Sequence, residues 1–372
     1  MAMNRRCVAE VLTFHALVRP VYPAESASVC TAAWGMIVPG GNFKSMYLSN
    51  DPTSPAADDV GKASIFAVVV LYKMLPDESA TLRTLFEAAH AAADLPLRLA
   101  ISIFDNTPGG QDLAGRDVGV LPEDVRYQAA MDNPGLAVAY NAAIAAAIGE
   151  EFQWLLTLDQ DTDLPRDFLE ILLRYVERYS ADDRVGAIVP HIVDSGRRIS
   201  PLRQLGGFLP SVISPDFSGV AEPFTTALNS ASLLRVSALE EIGGYDERFP
   251  LNNSDTSLFH RLGLAGKRVV VAGDLIVQHE LAIMNRQDRM TVDRYRQLLA
   301  DERAFWDLNL GVLARVERLL RLVGRVGKDL LQMKNKQFRA LTLEEIRYRV
   351  MTRRRSRVVA WKKAMDARRE PV

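Results

Sequence analysis

Strand-length apolar runs alternating with helix-length amphipathic segments predict an α/β protein with a mostly parallel sheet and helices on both faces. Three observations carry the prediction. Ile65 to Leu71 is apolar without alternation, the pattern of a strand covered on both sides. Trp154 to Leu158 repeats that pattern and runs into Asp159-Gln160-Asp161. Between them lies an alanine-rich segment, Leu136 to about Ile148, of helical length.

The remaining elements follow in chain order. Asp77 and Ser79 can cap a helix that sets Leu82, Leu85, Phe86 and Ala89 on one face. Leu97, Leu99, Ile101 and Ile103 alternate along a second strand, which ends in the turn Asp105-Asn106-Thr107-Pro108-Gly109-Gly110. A helix is predicted near Phe168 to Tyr179 and a strand at Val185 to Val189. Asp194 to Thr226 is rich in Gly, Ser and Pro and long for a bare loop, a length often associated with function. Ala231 to Val236, a short helix ending at Gly243-Gly244, Asp255 to Ala265 and the strand Arg268 to Ala272 complete the α/β part. After about Asn285 the chain reads as helical. Residues 1–62 contain many Pro and Gly and no sustained periodicity, so they are expected to be an irregular extension. The expected organisation is 1–62 extension, 63–285 α/β domain and 286–372 helical region.

Composition narrows the functional classes. The 372 residues are 48% hydrophobic and 24% charged, ordinary for a globular chain. Two cysteines, Cys7 and Cys30, exclude a disulfide framework or a cysteine-based zinc finger and fit a reducing compartment. No apolar run approaches the ~18 residues of a transmembrane helix, and a signal peptide is not expected from the first residues. The net charge of −1 hides a segregation. Residues 312–372 hold 18 basic and 6 acidic residues, a net +12, which leaves −13 on residues 1–311.

The chemistry points to strand ends. In open parallel sheets ligands bind outside the carboxyl ends of the strands. Asp105 follows the second strand; Asp159, Asp161 and Asp163 follow the third. Gathered carboxylates suit Mg²⁺ or Mn²⁺, and such an ion suits a diphosphate. An EF-hand is excluded because Leu164 and Pro165 stand where its sharp glycine turn belongs. An aspartyl-phosphate phosphatase with Asp159 as nucleophile stays open as the alternative, although Asp163 stands where that pattern wants Thr or Val. No Gly-x-Gly-x-x-Gly and no P-loop is present.

The ordered segments "VVVLY", "FDNT", "DNPGLAVAYNAA", "LLTLDQDTDLP", "NSASLLRVSALEEIGGYDERF", "SDTSLFHRLGLAG" and "VQHE" resemble the family 2 glycosyltransferases of GT-A fold, in particular the bacterial rhamnosyltransferases. The likeness covers roughly residues 63–285. It implies a Rossmann-like α/β/α sandwich. It also implies an inverting, divalent-metal-dependent transfer of a sugar, rhamnose favoured, from dTDP-rhamnose or a UDP-sugar to a saccharide or lipid-linked acceptor in cell-surface polysaccharide synthesis. By the same resemblance Tyr72 and Asp105 lie against the base, and Asn133, Gly135 and Asn141 shape the donor pocket. Asp159 faces the ribose or metal side, Asp161 ligates the metal, His279 helps bind metal or diphosphate, and Asp255 is the catalytic base. Two departures fall on the acceptor side. Ser257 and Leu258 replace the acid and aromatic usual after the catalytic Asp, and Ser230-Ala231 replaces Ser-Gly. Asp255 also reads as a helix N-cap, and His191 and His260 read as structural. A non-catalytic nucleotide-sugar-binding scaffold at a membrane is a further alternative.

In the tail, Leu319, Leu320, Leu322, Val323, Val326, Leu330 and Leu331 interleave with basic residues at helical spacing. A basic amphipathic helix reads as a membrane-surface element, here on the inner face of the plasma membrane, with a homodimer helix and a helix packed on the α/β domain as the other readings. Aromatics are too sparse there for a nucleic-acid site.

Overall fold

The computed structural model describes residues 62–111, 125–205, 209–279, 290–331 and 336–369. The predicted extension, apart from residue 62, and both cysteines lie outside the described residues.

The α/β part begins β1 (Ala63–Leu71), α1 (Ala80–Ala91), β2 (Leu97–Asp105), β3 (Val125–Ala129), α2 (Leu136–Gly149), β4 (Trp154–Asp159), β5 (Thr162–Asp163), α3 (Phe168–Tyr179) and β6 (Val185–Asp194). It continues β7 (Arg197–Ser200), β8 (Leu202–Leu205), β9 (Leu209–Val212), β10 (Gly219–Val220), β11 (Ser232–Arg235), α4 (Val236–Ile242), α5 (Ser254–Leu264) and β12 (Arg268–His279). The main sheet runs β10-β12-β6-β11-β4-β1-β2-β3, with β5 on β12 and β7 on β6. β3, β2, β1 and β4 pair in parallel, as do β6 and β12. β11 is antiparallel to both β4 and β6, so it separates two parallel blocks that run the same way. This is the α/β/α sandwich with a mostly parallel sheet that the sequence predicts.

Strand alternation makes the two layers. Ile65, Ala67, Val69 and Leu71 face α1 and α3, packing with Leu82, Leu85, Phe168 and Leu172. Phe66, Val68 and Val70 face α2, α4 and α5, packing with Tyr140, Leu239, Leu258 and Phe259. All these side chains are buried, as the unbroken apolar run from Ile65 to Leu71 requires.

Five points of the sequence reading are corrected. The strand predicted at Val185–Val189 extends to Asp194, and that at Arg268–Ala272 extends to His279, because polar residues near their ends still pair in the ladder. Asp194 to Thr226 holds four short strands rather than a bare loop. β3 went unread because Arg126 and Gln128 interrupt its apolar pattern at the sheet edge. The N-cap of α5 is Asn253, not Asp255.

Four helices follow: α6 (Val292–Asn309), α7 (Val312–Leu331), α8 (Lys336–Met351) and α9 (Arg354–Arg369). The first three share a small core of Tyr295, Leu298, Leu299, Leu322, Phe338 and Leu341. A second cluster docks them on the α/β body, with Phe249 against Phe305 and Trp361 at ring separations of 6.0 and 5.3 Å. Asn252 Nδ2 donates to Asp301 at 3.0 Å beside it. Among the described residues no helix is long and apolar enough to cross a membrane.

The charge of the tail is arranged differently from its sequence pattern. On α7, Arg318 and Arg325 turn inward to Glu317 and Glu302. The outward face is apolar.

Candidate functional site

The site forms at the carboxyl ends of β1, β2 and β4, where β4 breaks into the loop Asp159–Thr162. Side chains from two flanking elements clamp this loop. From the start of α1, Ser79 Oγ donates to the Gln160 carbonyl at 2.8 Å. Thr81 Oγ1 donates to the Asp159 carbonyl at 2.5 Å and accepts from Thr162 N–H at 2.8 Å. Ser79 also caps α1, accepting from Leu82 N–H, as the sequence suggested. From the other side, Ser230 Oγ accepts from Asp159 N–H and hydrogen-bonds Thr162 Oγ1. The turn that presents Asp161 is therefore fixed at both flanks.

Asp159, Asp161 and His279 come together. His279 is almost fully buried at the end of β12, where it pairs with Thr162 of β5. Its Nε2 lies 3.7 Å from Asp159 Oδ2 and its Nδ1 lies 3.5 Å from Asp161 Oδ1 and 3.1 Å from Thr162 Oγ1. Two carboxylates and an imidazole are a donor set that fits Mg²⁺ or Mn²⁺ in kind. The two acids sit on opposite ring nitrogens, and among the described residues no three such groups converge on one point.

Tyr140 Oη donates to Asp159 Oδ1 at 3.0 Å, and its ring lies 5.0 Å from that of Tyr245. Tyr245 Oη donates to Asn229 Oδ1, and Asn229 Nδ2 donates to Ser254 Oγ, both at 3.0 Å. Burial first, then the charges of Asp159 and Asp255, holds both phenols well above 10, so they remain donors. Hydrogen bonds thus join Tyr140 to Asp159, and Tyr245 through Asn229 to Ser254 beside Asp255, while the two tyrosines meet by ring contact alone. Asp255 accepts from Thr256 N–H at 2.6 Å. Burial pushes its carboxyl up to about 6 against the opposing Thr256 bonds, and the charge of Asp159 adds to the rise.

The base-side residues separate. Asp105 is fully buried. It accepts from Thr107 N–H and Gln111 Nε2 at 2.9 Å and from Tyr127 Oη at 2.5 Å. Any base reaching it takes the place of Gln111. Burial and the Asp105 bond raise the Tyr127 phenol far above its ordinary range. Tyr72 is exposed at the end of β1, its N–H donating to Gln160 Oε1 at 2.7 Å.

Asn133, Gly135 and Asn141 serve the joint between the two halves of the sandwich. Gly135 adopts φ +94° and a Cβ there would lie 2.6 Å from the Pro250 carbonyl oxygen. Asn141 brackets the opposite turn, donating to the Tyr245 carbonyl and Glu247 at 3.1 Å and accepting from Tyr245 N–H at 2.7 Å. Asn133 holds φ +49° just before this segment. Ala231, where the resemblance expected glycine, takes the left-handed conformation at φ +60° while fully buried. The expected conformation survives the substitution. His191 is buried with Nε2 3.3 Å from the Phe217 carbonyl oxygen, and His260 packs on Phe224 and Phe305, so both are structural.

Tyr127, Gln111, Tyr140, Tyr245 and Thr81 were not predicted from sequence. Tyr140 alone carried a signal, as an aromatic inside the alanine-rich helix that precedes the strand ending in the acids.

Residues 78–243 match the family model Glycosyl transferase family 2. This segment holds Asp105, Asn133, Gly135, Asn141, Asp159 and Asp161, whereas Asp255 and His279 lie beyond it. A curated relative, "Succinoglycan biosynthesis protein ExoA" of Rhizobium meliloti (strain 1021), is 29% identical over 178 residues, 47% of this chain and 52% of that protein. The chain thus spans about half the length of that relative. Among solved structures, S. aureus TarS 1-349 in complex with UDP is similar at 12% identity and a TM-score of 0.42, over 81% of this chain and 90% of that one. GalNAc-T7 with UDP, GalNAc and Mn²⁺ is similar at 14% identity and a TM-score of 0.45, over 66% and 49%. Residues 78–243 are thus similar to the family 2 glycosyltransferases, a likeness that favours that reading over the aspartyl-phosphate alternative.

Proposed function

We propose that the protein is an inverting glycosyltransferase that moves a sugar from a nucleoside-diphosphate donor to an acceptor hydroxyl in bacterial cell-surface polysaccharide synthesis. The observation that supports it is Asp255, a carboxyl raised to about 6 by burial and by the charge of Asp159. A base with that pKa is half to fully ionised near neutrality and still basic enough to accept a proton. In the transfer, Asp255 takes the acceptor hydroxyl proton and the acceptor oxygen bonds the anomeric carbon. The bond from that carbon to the diphosphate oxygen breaks, and the diphosphate leaves with the electron pair.

Asp105 and Tyr72 form the base side of the donor pocket; Asp159 takes the ribose or diphosphate side. Asp161 and His279, with Asp159, would hold Mg²⁺ or Mn²⁺, which when bound neutralises the departing diphosphate. The donor we favour is dTDP-rhamnose, with a UDP-sugar next; the UDP-bound glycosyltransferases among the similar structures are compatible with the second. The acceptor is a saccharide or lipid-linked saccharide. Residues 63–285 form the transferase domain, and the helical region 286–372 keeps it against the anionic inner face of the plasma membrane.

The test is a panel of nucleotide sugars screened for metal-dependent binding and then for transfer. The wild type is expected to bind one donor with Mn²⁺ present and to form glycoside. Asp255→Asn is expected to bind the same donor and form none. Full transfer by Asp255→Asn removes the assigned base.

A further inference from the structure

The four C-terminal helices enclose a cavity of about 170 Å³. Arg303 and Trp306 of α6, Arg315 of α7, Arg349 of α8 and Arg357 of α9 reach it. Two carboxylates, one of them the lining residue Asp307, pair with three of these four guanidinium groups. Glu345 pairs with both Arg303 and Arg349, and Asp307 takes a two-pronged bond from Arg357 at 2.7 Å. Arg315 donates to the Leu310 carbonyl oxygen, and no carboxylate pairs with it among the described residues. Arg354, whose charge acts on Arg315, donates to the Asp307 carbonyl oxygen at 2.6 Å and likewise has no carboxylate partner there. Burial first, and the Arg354 charge next, make the Arg315 cation less favourable than usual, against the opposing charge of Asp307. A half-buried cation beside like charges gains from an anion, and arginine forks match phosphate oxygens.

The mouth of the cavity is apolar and continues onto the surface. Val312 and Val316 line it and also begin the outward face of α7. Leu313, Val316, Leu320 and Val323 follow at helical three- and four-residue steps, with Leu313 73% and Leu320 64% exposed. A phosphate site opening onto an uncovered aliphatic stripe is complementary to a molecule with both parts. We propose that this cavity seats the phosphate of an anionic amphiphile whose apolar chain lies along the outward face of α7. The inference deepens the membrane part of the proposed function and is independent of the transfer chemistry. It relocates the attachment: the inward arginines of this bundle grip one headgroup, and the aliphatic stripe enters the lipid.

The full chain is to be sedimented at low salt with vesicles of phosphatidylcholine alone and of phosphatidylcholine with phosphatidic acid. The wild type is expected to partition onto the second. Arg315→Gln and Leu320→Gln are each expected to weaken that partitioning about five-fold. Leu320 is exposed, so its variant keeps the fold if Arg315→Gln does not. Asp161→Ala is expected to partition as the wild type. A wild type that stays in solution overturns both this inference and the membrane reading. Wild-type partitioning with both variants unaffected overturns this inference alone. Inorganic phosphate raising the melting temperature of a chain that ignores vesicles overturns the amphiphile. So does a Leu320→Gln variant that converts a dimer to a monomer and binds vesicles normally.

Discussion

Asp255→Asn should remove catalysis and stabilise the fold at the same time. In the folded chain the carboxyl titrates at about 6 rather than 3.8. The folded state therefore binds more protons than the unfolded one between those values. The corresponding stability is present in full below pH 3.8 and is lost as pH rises through 6. A rise of roughly 2 units corresponds to about 3 kcal/mol, missing from the wild type at pH 7.5. Asparagine keeps an oxygen for the Thr256 N–H and carries no charge, so it escapes that loss. The expected gain is about 5–10 °C in melting temperature at pH 7.5 and close to none at pH 4. Transfer should fall by about 10²–10⁴. The assay is a pair of thermal melts at the two pH values, in EDTA and without nucleotide, alongside initial rates. Equal melting temperatures for variant and wild type at pH 7.5 would refute the buried-carboxylate argument, and a wild-type rate flat from pH 5 to 7 would refute the base.

Asp161→Ala should weaken Mn²⁺-dependent nucleotide binding tenfold or more by titration calorimetry, about 1.4 kcal/mol, with metal-free melting unchanged. Gly135→Ala sets a Cβ against the Pro250 carbonyl oxygen at a backbone angle alanine resists. It should cost about 2–3 kcal/mol in urea unfolding. Ala231→Gly relieves a left-handed alanine and should add about 0.5–1 kcal/mol after the entropy of glycine is deducted, a small rise in melting temperature.

What could be read in advance follows from range in sequence. β1 and β4 announced themselves because each is buried on both faces, so composition alone marks them. Asp159 and Asp161 were visible because a strand end is a local event. The antiparallel β11 between β4 and β6 was not visible, since direction in a sheet depends on partners distant in sequence. Tyr127 escaped for the same reason, since it reaches Asp105 from the next strand. The tail misled in an instructive way. Its basic count was correct, yet helical spacing cannot tell which side meets solvent, and on α7 Arg318 and Arg325 pack inward while Leu313 and Leu320 do not.

The contact of Gly135 with Pro250 and the bracket of Asn141 on Tyr245 have a consequence for dissecting the chain. The family segment stops at residue 243, but the fold does not divide there. A fragment cut at that point loses β12, which covers one edge of β6, and leaves that edge open to pair with another chain. It also strips α2 of the turn that orients its first residues. Such a fragment would keep every donor-side acid and still be expected to aggregate. The half that carries Asp105, Asp159 and Asp161 and the half that carries Asp255 are one folding unit, and they have to be expressed, moved and inherited together.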